Sequence, residues 1–272
     1  MSVTVLSGGR PWGLIFPLVG ALLMGCGGPR AKPTKPTKPE EEIDVDLSVA
    51  LAETMVTHQA HASAVPLLRK ALERSPKEPR LHYLMGLVMR DRGVYTQAEA
   101  SLKLAIELRP EMHPVYSDLG VLYDLKGEHD AALEVHEKAV KMAPEVPRYR
   151  NNLGFSHYLA GRYDKAVDAY EQAIRCAPTE ALVYNNYGFA LAALGRDKEA
   201  MRMFRQAGDE AAALNNMALA RELQGDRAQA RRMYQEALAI EPKSKKIFDN
   251  LKALEQAMKS EPKEAPQKTE DP

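Results

Sequence analysis

The sequence repeats itself at a fixed interval through most of its length, and this period constrains the fold more than any other feature. Glycine recurs at Gly86, Gly120, Gly154 and Gly188, which are equally spaced. An alanine follows each of these glycines after twelve residues, and a second alanine follows after seven more. A fixed period of about 34 residues predicts one structural unit per repeat, which buries its apolar face only by stacking on its neighbours.

We number the positions of each repeat from its first residue and call each position a column. The recurring glycine is column 8, the two alanines are columns 20 and 27, and a proline occupies column 32 in five of six repeats. Small residues at three columns predict two helices in close contact. The predicted units are residues 45–78, 79–112, 113–146, 147–180, 181–210 and 211–244.

This spacing of glycine, alanine and proline resembles the tetratricopeptide repeat (TPR) family, in which each unit is a pair of antiparallel helices. The resemblance implies an all-α fold, a right-handed α-solenoid of six helix pairs. Glycine at column 15 predicts the end of each first helix. Residues 245–260 are amphipathic and predict a C-terminal capping helix, whereas the polar, proline-containing tail 261–272 predicts disorder.

The fifth repeat departs from the pattern because it is four residues short and lacks the closing proline. The shortening predicts the loss of about one turn from its second helix, with a stop at Gly208 and Asp209. The next unit then starts early. The sequence leaves two interpretations open, a functional notch and a neutral deletion.

The N-terminus predicts export and attachment to a membrane. The apolar run PWGLIFPLVGALLMG follows Arg10 and predicts a signal peptide over residues 1–25. Its end, LMGCGG, resembles a bacterial lipobox, which implies that Cys26 carries a lipid. By the same resemblance, Gly27 favours the outer membrane, with the body of the protein in the periplasm. The alternative is an ordinary signal peptide with a chance cysteine.

Residues 26–44 separate the predicted lipid from the first repeat. Prolines at positions 33, 36 and 39 alternate with lysine and threonine, which favours an extended polyproline II conformation. At about 3.1 Å per residue, this segment predicts a tether of roughly 45 Å.

Composition argues against several classes of function. Lysine plus arginine equals aspartate plus glutamate, at 37 each, so no long-range field attracts nucleic acid. The sequence has no phosphate-binding glycine loop, no nucleophile elbow and no metal-ligand spacing. We therefore expect no enzyme activity, no metal, no cofactor and no small-molecule substrate. Cys176 and the pair His136 and His157 occupy columns that predict core positions.

Asparagine pairs predict a binding surface. In TPR proteins the first helices line a concave face, with columns 2, 5, 6, 9, 12 and 13 directed inward. An amide side chain both donates and accepts hydrogen bonds, which suits the backbone of an extended peptide. The alternative is that one asparagine of each pair caps or bridges neighbouring helices. The pairs occupy columns 5 and 6 of the last three units: Asn151 and Asn152, Asn185 and Asn186, and Asn215 and Asn216.

Column 9 adds an apolar row to the same predicted face. An exposed apolar stripe usually marks a binding surface, and here it lies beside the amides. The row is therefore predicted to form a groove for an amphipathic helix or strand of a partner protein. The alternative is that curvature or the terminal segments cover the row. Its residues are Leu87, Val121, Phe155, Phe189 and Leu219, with Tyr158 at column 12 beside them.

The predicted lipid, tether and scaffold together describe a binding module held at a membrane. The phrasing NNLGF followed by AGRYDKA resembles TPR lipoproteins that act as pilotins or assembly factors of type IV and tight-adherence pili. That resemblance implies a secretin or another pilus component as the partner. Two alternatives remain. One is a structural subunit of a gliding-motility or secretion complex. The other is a regulator of an envelope polysaccharide or peptidoglycan synthase.

Overall fold

The computed structural model describes residues 44–260, and this part of the chain contains thirteen α-helices and no strand. The predicted all-α solenoid fold is confirmed. The predicted signal peptide, Cys26, the tether before residue 44 and the tail 261–272 lie outside the described residues. The helices are α1 Val45–Thr57, α2 His61–Arg74, α3 Pro79–Asp91, α4 Tyr95–Leu108, α5 His113–Lys126, α6 His129–Met142, α7 Pro147–Leu159, α8 Tyr163–Cys176, α9 Ala181–Ala193, α10 Asp197–Ala207, α11 Glu210–Leu223, α12 Arg227–Ile240 and α13 Lys245–Ser260.

The glycines of column 8 allow the two helices of a unit to touch. A Cβ atom on Gly188 would lie 2.4 Å from Cε1 of Phe204, and one on Gly154 would lie 2.8 Å from Cε1 of Tyr170. Phe204 and Tyr170 both occupy column 24 and are fully buried. A side chain at column 8 would therefore force the helices apart.

The first helices end as the column 15 glycines predict. Gly127 has a φ angle of 78°, in the left-handed region, and its N–H donates to the carbonyl of Asp124. The first unit has Gln59 at this column instead, with a φ angle of 56°. The chain therefore adopts the same turn there at the steric cost that a side chain imposes on a left-handed backbone.

The fifth unit is shortened in its second helix. Helix α10 has 11 residues, whereas α8 and α12 have 14 each. Gly208 is extended rather than left-handed, and Asp209 caps the next helix because its side chain accepts a bond from the N–H of Ala212 at 2.8 Å. Only two residues join α10 to α11.

When units stack, columns 3 and 7 of a first helix pack against the second helix of the unit before. Column 3 shows this burial in α3 and α5, where Leu81 and Val115 have no exposed surface. Within the described residues no unit precedes helix α1, and Leu47 at column 3 is 67% exposed and Leu51 at column 7 is 44% exposed. Across residues 44–260, no helix is both long enough and apolar enough to cross a membrane.

Candidate functional site

The first helices form the inner surface of the array. Helix α1 contacts α3, and each later first helix contacts the next in turn as far as α11. Within residues 44–260, the second helices make no comparable contacts with one another. Because the first helices lie closer together, the array curves with the first helices on its concave side. The predicted groove residues all belong to these helices.

The asparagine pairs form a hydrogen-bonded ladder between units. In each step, the column 6 side chain donates from Nδ2 to the column 5 side chain of the unit before, over 2.8–3.0 Å. Amides that bond to each other in this way fix the register of adjacent first helices. The bonds run from Asn152 to Ser117, from Asn186 to Asn151, from Asn216 to Asn185 and from Asn250 to Asn215.

The last hydrogen bond of the ladder comes from the capping helix α13, which was not predicted to contribute to the groove. Asn250 follows Asn216 by one full repeat period, so the period itself carried the signal. Helix α13 therefore continues column 6 into an incomplete seventh unit. Its Nδ2 atom satisfies the Oδ1 atom of Asn215, which is only 2% exposed.

In the fourth and sixth units the two asparagines of a pair have different environments, whereas Asn185 and Asn186 of the fifth unit are both half-buried. Asn151 is 6% exposed, its Oδ1 accepts from the next unit and its Nδ2 lies 3.4 Å from Oδ1 of Asn152. Column 5 thus bridges neighbouring helices, which is the alternative role predicted for one asparagine of each pair. Asn152, Asn186 and Asn216 are half-buried, and each amide has a second N–H beyond the one used in the ladder. Column 6 therefore offers a donor to the groove in all three units, and in the fifth unit the half-buried Asn185 at column 5 has N–H groups that are free within residues 44–260 as well.

Column 5 of the second unit and column 6 of the third unit are also joined by a hydrogen bond, but here a charged side chain takes part. Tyr83 at column 5 donates to Oδ2 of Asp118 at 2.7 Å, and Arg90 donates from Nη1 to Oδ1 of Asp118 at 3.0 Å. Burial, followed by the negative charge of Asp118, raises the pKa of Tyr83 well above its usual range. The inner surface is therefore ionic in the second and third units and carries neutral amides in the last three.

The apolar row of column 9 is half-buried along its whole length, from Leu87 to Leu219. Phe189 packs edge-on against the core residue Phe204, with ring centroids 5.1 Å apart. Phe155 has no ring-to-ring contact within the described part of the chain. The ring centroids of Tyr158 and Tyr163 lie 5.4 Å apart, and burial raises the pKa of Tyr158. Phe189 therefore serves the core as well as the surface, whereas Phe155 serves the surface.

Column 13 contains exposed leucines that were not among the predicted groove residues. Leu125 is 53% exposed, Leu159 is 38% exposed and Leu223 is 64% exposed. They lie one helical turn after column 9 and therefore extend the same apolar surface. The signal was leucine at one inward column of three units.

Two predictions for possible core groups need revision. The prediction that Cys176 is a core residue is wrong, because its side chain is exposed at the last residue of α8. Column 30 is also exposed at Ile240, since a helix end extends beyond the neighbouring helices. His136 is fully buried as predicted, but its Nε2 lies 3.6 Å from Oδ2 of Asp124, and no hydrogen bond joins it to His157 in the described residues.

Asp124 links the third and fourth units through a buried polar junction. Its side chain is 7% exposed and accepts hydrogen bonds from Nδ1 of His129 and from Oγ of Ser156. No group of three or more His, Cys, Asp or Glu side chains between residues 44 and 260 has an arrangement that could hold a metal ion. The junction acts as a structural contact between repeats.

Family models described as "Tetratricopeptide repeat" match residues 50–113, 117–181, 169–202 and 211–244, which is more than half of the chain. No curated protein sequence matches.

Among solved structures, Pseudomonas aeruginosa pilF has a TM-score of 0.61 at 18% identity, over 77% of this chain and 96% of that one. MamA from Desulfovibrio magneticus RS-1 has a TM-score of 0.54 at 21% identity, over 60% and 92%. The APC/C hetero-tetramer Cut9–Hcn1 has a TM-score of 0.61 at 18% identity, over 78% and 43%. At these identities the likeness is one of fold.

Proposed function

Since the chain belongs to the tetratricopeptide repeat family of protein-interaction scaffolds, we propose that it binds a partner protein in its concave groove and thereby assists assembly of an envelope machine. The observation that carries this proposal is the pairing of two surfaces in the last units. Half-buried column 6 amides with unused N–H donors lie beside exposed and half-exposed apolar side chains. Such a surface suits a segment with polar backbone and apolar side chains.

The chemistry of the groove specifies the segment that it would hold. The ladder asparagines and the column 9 residues of the last three units carry no charge, so charged side chains in the partner would be desolvated there without compensation. The ionic part of the inner surface, around Arg90 and Asp118, already pairs its charges internally. We therefore infer a partner segment whose apolar residues contact Phe155 and Leu159 and whose backbone meets the amides.

A crosslinking experiment can identify the partner. A photoreactive amino acid at Leu159, which is 38% exposed, would capture whatever occupies the groove in cells. A crosslinked secretin or other pilus component supports the pilus proposal. A gliding-motility or secretion subunit, or an envelope synthase, supports the corresponding alternative. The likeness to pilF supports the proposal only as a shared fold.

Replacing Phe155 with serine tests the groove itself. Partner binding should fall at least tenfold, because the variant removes an apolar anchor and leaves charge unchanged. Helicity should stay intact. The matched control is Leu104→Ser, since Leu104 is an exposed leucine on the second helix α4. Unchanged binding by the Phe155 variant would contradict the groove assignment. Replacing Phe155 and Phe189 together tests the same surface, but Phe189 also packs on Phe204, so helicity must be checked.

The proposed location is the outer membrane, with a lipid on Cys26 and the repeats in the periplasm. The support is the lipobox-like sequence LMGCGG and the proline-containing tether that follows it. Replacing Cys26 with serine should move the protein from the membrane fraction to the soluble periplasmic fraction. Cys176→Ser is the matched control because it also removes a thiol. Equal distribution of both variants would contradict the lipid anchor.

No catalytic role forms part of the proposal. The scaffold family is one of protein interaction, and the function needs no cofactor and no small-molecule substrate. A catalytic partner, such as a synthase, remains compatible with the scaffold because the chemistry would then reside in that protein.

A further inference from the structure

A cleft of about 240 Å³ opens between the second helices α6 and α8. Its floor is α7, which contributes Arg150, Leu153 and His157, and Lys165 of α8 lines one wall. Because its walls are second helices, this outer cleft lies on the face opposite the concave groove. It is therefore separate from the surface proposed above to bind a partner segment.

The two cations of the outer cleft have no anionic partner among the described residues. Arg150 makes a single hydrogen bond, from Nη1 to Sγ of Cys176 at 3.7 Å, and its Nε atom is enclosed without an acceptor. Lys165 makes no hydrogen bond or ion pair within residues 44–260. Glu137 and Asp168 also line the cleft but form no ion pair with either cation in that range. Enclosed guanidinium N–H groups normally have acceptors, since leaving them without one is costly.

His157 adds a third polar group that the fold does not satisfy. Its side chain is in a residue only 8% exposed, and its Nδ1 atom is enclosed without a partner in the described part of the chain. Burial lowers the pKa of His157, and the positive charges of Lys165 and Arg162 lower it further. The imidazole is therefore neutral at neutral pH and retains one N–H donor.

The fourth unit lacks a hydrogen bond that the column 4 side chain makes in other units. In three other units this side chain bonds to the carbonyl of the preceding column 32 proline, over 2.7–3.0 Å. Arg150 occupies column 4 but makes no such bond to Pro144, and it lines the outer cleft instead. The bonds in the other units join His82 to Pro76, Tyr116 to Pro110, and Tyr184 to Pro178.

Column 11 differs between units in a similar way. In the sixth unit this column holds a cation, Arg221, which forms an ion pair with Asp197, although its Nε atom is also enclosed without an acceptor among the described residues. In the fourth unit it holds His157, whose Nδ1 has no partner among the described residues. Both polar columns of the floor are thus unsatisfied in the same unit, at the same cleft.

From this convergence we propose that the outer cleft binds a carboxylate group through Arg150, Lys165 and His157. A volume of about 240 Å³ is smaller than the usual range of ligand pockets, so the site fits one carboxylate-bearing group rather than a cofactor. Glu137 and Asp168 at the cleft repel a dianion more strongly than a singly charged anion, which favours a carboxylate over a phosphate. The carboxylate comes from an acidic side chain of a bound protein or from a free small acid.

The test is an NMR titration of the ring resonances of His157 in the mature chain. The two probes are sodium acetate and the peptide acetyl-Gly-Gly-Glu-Gly-Gly-amide, each at constant ionic strength against sodium chloride. Saturable shifts with half-saturation on the order of millimolar are expected, because each probe presents a single carboxylate to the cleft. Tighter binding of the peptide assigns the site to a protein side chain, and tighter binding of acetate assigns it to a free acid.

Variants make the result specific to the cleft. Arg150→Gln should weaken binding about tenfold, and Lys165→Gln should weaken it less. Lys165 is exposed, so its variant tests the proposal even if the Arg150 variant unfolds. Arg175→Gln removes an exposed arginine of the same α8 outside the cleft and should leave binding unchanged. Shifts equal to those with chloride, or equal binding by the Lys165 and Arg175 variants, would overturn the proposal.

Discussion

Asn186 donates a hydrogen bond from Nδ2 to Oδ1 of Asn151, 35 positions earlier in the chain, at 2.9 Å. The bond joins the first helices of two successive units, α9 and α7. Its repetition along the last units makes the asparagines part of the stacking contact and holds the column 6 amides at the inner surface. The same side chains therefore contribute to stability and to the proposed groove.

The first prediction concerns this bond. In a double-mutant cycle of Asn151→Ala and Asn186→Ala, we expect a coupling free energy of about 1 kcal/mol, because each single variant already loses the whole bond. Chemical denaturation measures it, and the cycle cancels the helix propensity gained by alanine. Asn151 and Asn216 share no hydrogen bond, so that control pair should couple by nearly zero. Additive effects of Asn151 and Asn186 would contradict the ladder.

The second prediction separates two glycines of the fifth unit by the contact each one makes. Gly188→Ala places a Cβ 2.4 Å from the buried ring of Phe204 and should reduce the free energy of unfolding by about 2–3 kcal/mol. Gly195→Ala meets no atom within 4 Å, so only its φ of 74° opposes the side chain, at about 1 kcal/mol. Equal losses in urea unfolding would show that column 8 does not set the helix separation.

The third prediction concerns the exposed end of the array. Replacing Leu47 and Leu51 together with serine should change the free energy of unfolding by less than about 1 kcal/mol, because Leu47 is 67% exposed and Leu51 is 44% exposed. Binding of a hydrophobic dye to the folded protein should fall. Leu81 is at column 3 of the next unit, like Leu47 in the first, and is fully buried. Leu81→Ala should therefore reduce the free energy of unfolding by about 2–5 kcal/mol. A large loss in the serine variant would mean that α1 is covered.

The fourth prediction uses the pH dependence of one carboxylate. Hydrogen bonds from Lys103 and Lys126, each with N···O distances of 2.7 Å, lower the pKa of Glu99 to about 2 from its usual value of 4.5. The stabilisation is therefore complete above pH 4.5 and is lost as pH falls toward 2.

Glu99→Gln removes this titration. Over the window from pH 4.5 to 2, the variant should lose less stability than the wild type, as measured by thermal unfolding at each pH. Glu107→Gln, a control on the same helix α4, should follow the wild-type curve. Parallel curves for Glu99→Gln and wild type would show that these lysines do not hold the carboxylate in its ionised form.

The sequence by itself determined the helix pairs and their close contact. Glycine at column 8 and alanine at column 20 recur at fixed spacing, and the helical repeat places both on the face that meets the partner helix. The left-handed turn at column 15 followed from glycine in the same way. The shortened α10 also followed from the sequence, because the fifth repeat has four residues fewer than the others. These are local properties, set within a single repeat unit.

Only the tertiary structure decided what each side chain does at the junctions between units. The sequence placed Asn151 and Asn152 side by side. That Asn151 is buried and Asn152 is partly exposed depends on the next unit, which contributes Asn186, 35 positions from Asn151. The unsatisfied Arg150 and the exposed Leu47 likewise depend on which helix lies beside them. Hydrogen bonding and burial at these positions come from the stacking of units. The sequence period of about 34 residues does not show them, because it is the same whether or not a polar side chain finds a hydrogen-bond partner in the neighbouring unit.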